Sequence, residues 1–207
     1  MEKLALGVFS MQIVFYTDHT AYDYSNMNNE IFPLAPDRCP FEGCSMPVKL
    51  KLHGYYKRFF ISKTFSGILY IRRYICPICG KTVSMLPMFC IQHFQYSAID
   101  ILNILHELYL GGISLEKLIK KTNKELPYLT RRHMNYYRKR IILNRQLIQY
   151  GLNLISPEFI FAGAIPENQN WVKTFLEIVH SVHPHVFHVD FSNITRKSFM
   201  TSQNMIA

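Results

Sequence analysis

The stretch YICPICGKTVSMLP, residues 74–87, decides how the middle of this chain folds. Cys76 and Cys79 are separated by Pro77 and Ile78 and followed by Gly80. Proline presets the backbone after the first sulfur, and glycine admits the left-handed conformation that lets backbone amides point at it. Two thiolates from one tight turn make half of a tetrahedral metal site, so the stretch calls for a second pair. CPFEGC at 39–44 supplies that pair, with Gly43 able to relieve the longer turn. Zinc takes four soft ligands in a tetrahedron, and the expected set is Cys39, Cys44, Cys76 and Cys79 around a structural Zn2+. Cys90 lies in the apolar run LPMFCIQHF and is expected in the core. With four thiolates at hand, neither His53 nor His93 is needed as a ligand. Five cysteines and no export signal argue against a disulfide framework.

Between the two cysteine pairs the residues alternate. VKLKLH (48–53), YYKRFFIS (55–62) and ILYIRRYIC (68–76) read as strand, with Gly54 as a break and KTFSG (63–67) as a turn. The expected product is a zinc ribbon, antiparallel strands clamped at one end by the ion. Cations and rings interleave along it. Lys57, Arg58, Arg72 and Arg73 are candidate phosphate contacts, whereas the rings of Tyr55, Tyr56, Phe59, Tyr70 and Tyr74 either stack on exposed bases or cover a ribbon too small for a core of its own.

From Ser97 the period changes to that of a helix. Ser97 and Asp100 form a capping signal, and Ile99, Leu102, Leu105, Leu108 and Tyr109 recur at helical spacing until Gly111 and Gly112. Ser114 caps a short second helix with Leu115, Leu118 and Ile119 inward. A third, longer helix is predicted from about Thr130 through RRHMNYYRKRIILNRQLIQY. Met134, Tyr137, Ile141 and Ile148 share one face of it; Arg132, Asn135, Tyr136 and Lys139 share the other. Three helices ending in a basic, amide-bearing face suit a helix-turn-helix whose last helix enters the major groove. Arg132, Asn135 and Lys139 are then candidate base or backbone readers, and Arg131, Arg138 and Arg140 candidate grips on flanking phosphates. The link KELPYLT is longer than the usual turn of that motif, and a plain helical bundle would show a similar cationic face.

Charge agrees with a polyanionic partner. The 207 residues carry a formal net charge of +9, concentrated in the middle: residues 37–90 hold nine Lys or Arg against two acids, and 91–150 hold ten against four. With 49% hydrophobic residues the chain can bury a core and is not a disordered tail. No run approaches the roughly 18 apolar residues of a membrane span. The opening MEKLALGVFSMQIVFY is short, interrupted by Gln12 and without a small-residue cleavage site, so no signal peptide is expected and the expected compartment is the cytoplasm. Met11 is a candidate start, because MQIVFYTDHT begins a strand-like run by itself. Beyond Gly151, ISPEFIFAGAIPENQ reads as a loop and NWVKTFLEIVHSVH as a helix burying Trp171, Phe175, Ile178 and Val179. His180, His183, His185 and His188 do not converge as ligands, because Pro184 breaks their spacing. The tail SNITRKSFMTSQNMIA reads as polar and frayed.

CPFEGC, HGYYKRFF and YIRRYICPICGKTVSMLP together resemble an uncharacterised zinc-ribbon family associated with bacterial insertion sequences, over roughly residues 37–140. There a ribbon and a helix-turn-helix precede, or stand near, a transposase catalytic domain. The resemblance implies the same four cysteine ligands and a DNA-facing role, with no activity to transfer. A three-carboxylate transposase needs a mixed domain that sets its acids around two metal ions. Here Glu158, Glu167, Glu177 and Asp190 are the only acids after residue 150, without the required run of strands.

The expected architecture is therefore α+β: an N-terminal strand and extension (1–36), a zinc ribbon (37–90), a helix-turn-helix-like helical domain (91–150), and a C-terminal loop and helix with a polar tail (151–207). The expected function is non-catalytic, zinc-dependent DNA binding, as an accessory or truncated transposase or a regulator. The alternative is a protein-interaction module that partners a catalytic transposase subunit. No small-molecule substrate and no membrane association are expected.

Overall fold

The computed structural model describes residues 10–26, 29–44, 47–155, 157 and 170–202. It is a mixed α+β fold. In chain order the elements are β1 (Ser10–Phe15), α1 (Ala21–Ser25), a 3-10 turn (Asn29–Ile31), β2 (Lys51–Ile61), β3 (Ser66–Ile75), β4 (Thr82–Pro87), α2 (Ala98–Tyr109), α3 (Leu115–Thr122), α4 (Arg131–Leu143), α5 (Arg145–Ile155), α6 (Asn170–Ser181) and α7 (Pro184–Thr195). The first nine residues, most of ISPEFIFAGAIPENQ with Glu158 and Glu167, and the last five residues of the tail lie outside the described residues.

The four strands form one sheet in the order β1-β4-β3-β2, with β1 parallel to β4 and the other neighbours antiparallel. β2 and β3 are the expected hairpin. Gly54 does not end the strand: the register shifts between Leu52 and Gly54, whose φ is +95°, leaving His53 as the extra residue, and pairing resumes at Gly54 opposite Arg73. A left-handed residue without a Cβ lets the strand absorb one extra position as a bulge instead of stopping. β4, TVSMLP, is buried throughout, its polar Thr82 and Ser84 included, as its place between β1 and β3 requires.

The helices start where their caps lie. The Ser97 hydroxyl accepts from the Asp100 amide at 3.0 Å and donates to the Asp100 carboxylate at 2.5 Å. The Ser114 hydroxyl accepts from the Lys117 amide at 3.4 Å. Leu102, Leu105, Leu118, Met134, Tyr137, Ile141, Ile148, Phe175 and Val179 meet in one apolar core, which Ile61 of β2 joins.

Three expectations are corrected. The long third helix is broken at Asn144, which is 1% exposed and whose side-chain amide donates to the Phe199 and Thr201 carbonyls at 3.0 and 2.9 Å. These two bonds from the buried Nδ2 tie the break to the chain's end, while the amide oxygen is buried without a hydrogen-bond partner among the described residues. The segment after His183 is a seventh helix: Pro184 opens α7 at its first turn, where the missing N–H costs nothing. The tail is not frayed over its described part, since Ser192–Thr195 belong to α7 and Phe199 and Met200 are buried in the helical core. No helix among the described residues is long and apolar enough to cross a membrane.

Candidate metal centre and cationic surfaces

The turn between β3 and β4 is the stretch CPICG. Gly80 has φ +69°, its N–H donates to the Cys76 carbonyl at 3.0 Å, and the Cys76 N–H donates to the Lys81 carbonyl at 3.0 Å. This tight knuckle aims both thiols to one side of the strand ends. The loop 39–44 lies against it; its Cys44 N–H donates to the Phe41 carbonyl at 2.9 Å. Gly43 is not in the left-handed region, so the longer turn closes without it. The Lys81 ammonium sits over the Phe41 ring at 5.0 Å and joins the two loops.

The sequence-predicted ligands come together. The sulfurs of Cys39, Cys44, Cys76 and Cys79 all lie within 4.8 Å of one another. Cys39 Sγ is 3.7 Å from Cys79 Sγ, and Cys44 Sγ is 3.8 Å from Cys76 Sγ. Four thiolates about 2.3 Å from a central ion stand about 3.8 Å apart in a regular tetrahedron. Each of these two close pairs takes one sulfur from each turn, so an ion at the centre would cross-link the loops. Cys39 and Cys76 are buried and Cys44 and Cys79 half-buried. Burial pushes the Cys39 thiol up to about 12. At Cys76 burial also raises the thiol, but the amides of Cys79 and Ile78 and the neighbouring thiols pull it down to about 7. These four cysteines can hold a metal ion.

Around them is a small apolar cluster of Leu50, Tyr74, Val83 and Met85, with Tyr74 donating its hydroxyl to the Pro33 carbonyl at 2.6 Å. Sequence reasoning missed this support because Leu50, Tyr74, Val83 and Met85 are distant in sequence and meet only through strand pairing. Cys90 is fully buried away from the cluster, and burial raises its thiol to about 11. His53 and His93 are exposed and outside the cluster. Of the histidine group, His188 is buried with Nε2 2.9 Å from the Cys90 carbonyl, while His180 stacks on His106 with ring centroids 4.1 Å apart.

The ribbon cations differ from one another. The Lys57 side chain is exposed, with its ammonium 5.9 Å from the centre of the Tyr70 ring. Arg58 donates to the Ile91 and Phe94 carbonyls. The Arg72 guanidinium lies 4.9 Å from the Phe32 ring centre and 5.1 Å from that of Tyr55, two rings that themselves pack 5.0 Å apart, and it donates to the Tyr55 hydroxyl; Arg73 donates to the Thr82 hydroxyl at 3.1 Å. Phe32, which no pattern marked, packs against Arg72 together with Tyr55.

On α4 the helical period sorts the side chains as expected. Met134, Tyr137 and Ile141 are buried; Arg131, Arg132, Asn135, Tyr136 and Lys139 are exposed. Arg131 pairs with Glu116 of α3 at 2.6 Å. The Arg138 guanidinium lies 5.8 Å from the Tyr109 ring centre, and Arg140 lies over Tyr136 and donates to the Thr201 carbonyl at 3.3 Å. α2, α3 and α4 contact one another, and residues 123–130 join the last two, a longer link than a tight helix-turn-helix uses.

No family model, no curated protein and no solved structure matches the chain.

Proposed function

We propose that this chain is a non-catalytic DNA-binding protein in which one zinc ion, held by Cys39, Cys44, Cys76 and Cys79, has a structural role. Zinc is favoured because all four donors are thiolates in a tetrahedral arrangement, the set that closed structural zinc sites use. Bound there, the ion would tie the loop before β2 to the β3–β4 turn and complete a zinc ribbon. The helices α2, α3 and α4 then act as a helix-turn-helix-like unit with α4 as the reading helix. The resemblance to insertion-sequence proteins suggests an accessory or truncated transposase, or a regulator.

The observation that carries this reading is the solvent face of α4. Arg132, Asn135 and Lys139 stand exposed on one side of a helix whose other side is buried. Arg and Asn can read guanine and adenine edges, and Lys meets phosphate. Arg131, although paired with Glu116 across the surface, is held by a bridge weak enough to be exchanged for phosphate. Lys57 adds an exposed cation on the ribbon, while Arg58, Arg72 and Arg73 add positive potential from positions fixed by the fold.

A mobility assay with duplex DNA at rising salt tests it. The expected affinity falls linearly on a log–log plot, by about 0.9 for each phosphate neutralised. Arg132→Glu with Lys139→Glu should abolish retention. A salt-independent affinity, or no complex at low salt, would sink the reading.

A second reading, an interaction module for a catalytic partner, draws on a different observation. Ile142, Leu143, Tyr150 and Leu154, at the end of α4 and on α5, are 38–58% exposed. A partner docked there would survive the double charge reversal.

A further inference from the structure

The β2–β3 hairpin presents one side that the fold leaves open. Cross-strand neighbours in an antiparallel pair point the same way, so the register places Lys57 with Tyr70 and Phe59 with Ile68 on the side that also carries Tyr55 and Arg72. Phe32 covers the Tyr55–Arg72 end. At the other end Phe59 is 39% and Ile68 41% exposed, and the Lys57 side chain is exposed beside them. Phe59 and Ile68, paired across the two strands, form a small apolar patch with the Lys57 cation beside it. On this side the charge is of one sign: Lys57 and Arg72 are its cations, and neither β2 nor β3 contains an acidic residue.

Phe59 and Lys57 also belong to the wall of a cleft of about 260 Å3 between β2 and residues 93–95. Gln12 of β1 lines the same cleft, and its side-chain carbonyl is buried without a hydrogen-bond partner among the described residues. His93, on the opposite wall, has φ +65°.

We propose that the open side of the β2–β3 hairpin binds a single strand of nucleic acid, with an unpaired base stacked on Phe59 at the mouth of the Gln12 cleft and the backbone neutralised by Lys57. This rests on the nucleic-acid reading above and adds a second surface to it, separate from α4. Stacking platforms of aromatic residues within a positive groove are the general solution for unpaired strands, because every base has a π-face.

The test is fluorescence anisotropy with a labelled single-stranded oligonucleotide, as DNA and as RNA, beside a duplex of the same sequence. Phe59→Ala should weaken single-strand binding roughly 5- to 150-fold and leave duplex binding within about twofold. Lys57→Glu should weaken it too and flatten its salt dependence. Arg132→Glu should give the opposite pattern, weakening the duplex alone. Unchanged metal content and helical circular dichroism check that each variant is folded. Dependence of either the DNA or the RNA arm on Phe59 supports the proposal, and the tighter arm identifies the strand. Duplex binding with no single-strand binding would overturn this inference and leave the α4 reading standing. Single-strand binding indifferent to both Phe59→Ala and Lys57→Glu would overturn it as well. Retention of neither single strand nor duplex would remove both.

Discussion

The cysteine end of the sheet and the helical core are stabilised by different means. Around the thiols, among the described residues, the buried apolar cluster is Leu50, Tyr74, Val83 and Met85 with Cys39 and Cys76 themselves, joined by partly buried residues such as Phe15 and Val48. The helical core gathers residues from α2 through α7 and beyond, and includes the tilted and edge-on rings of Phe175, Phe187, Phe191 and Phe199. A small apolar cluster offsets less of the entropy of ordering the loop before β2 than a large one would. The lesson is that one region of the chain is ordered by burial, whereas the other has little burial and four clustered thiols that could hold an ion.

The largest effect should come from removing the ion. Structural four-ligand zinc sites contribute on the order of 10 kcal/mol of apparent binding energy to folding. Chelation should therefore abolish amide hydrogen-exchange protection in β2 and β3 near the cysteines while the helical circular dichroism persists. Loss of helix in parallel would break the distinction between the two regions. Next in size is Phe187→Ala, which should cost about 3–5 kcal/mol in urea unfolding with no loss of bound metal, because Phe187 is 1% exposed and packs against three other rings.

His188 sharpens the comparison because it joins α7 to the Cys90 carbonyl beside the sheet. Burial, outweighing that hydrogen bond and aided by nearby His185 and Arg58, holds its imidazole down at about 4 against an ordinary 6.5. The unfolded chain therefore binds the extra proton first. Stability from this group is complete above about pH 6.5 and is lost progressively as pH falls toward 4, by about 1.4 kcal/mol per pH unit. His188→Gln should lower stability at neutral pH and flatten that slope, as measured by denaturant midpoints between pH 4 and 7. The smallest effect is at a helix end: Ser97→Ala removes the cap of α2 and should cost about 1 kcal/mol by thermal unfolding, again without changing metal content.

The parts of this fold that could be read from sequence are those fixed by local chemistry. The two cysteine turns, the hairpin between them, the serine caps and the two sides of α4 all follow from residue type and period within a short window. What escaped depends on distant partners. Asn144 breaks a helix because its amide finds carbonyls at residues 199 and 201, and nothing near Asn144 announces them. Phe199 and Met200 sit in a polar tail with no period, so their burial comes only from the core they close. Pro184 disqualified the histidines as a metal group and also began a helix, and only the first of these was read from the spacing. For the site, the thiols were legible and their lining was not, because Tyr74, Val83 and Met85 gain their role from where β4 pairs with β3.

Sulfur coordination is the point on which the rest depends, and X-ray absorption at the metal edge of the purified protein measures it most directly. One zinc per chain with four sulfur neighbours at about 2.3 Å is the predicted result. A protein that binds no metal, or an ion surrounded by fewer than four sulfurs with nitrogen or oxygen in their place, would contradict it.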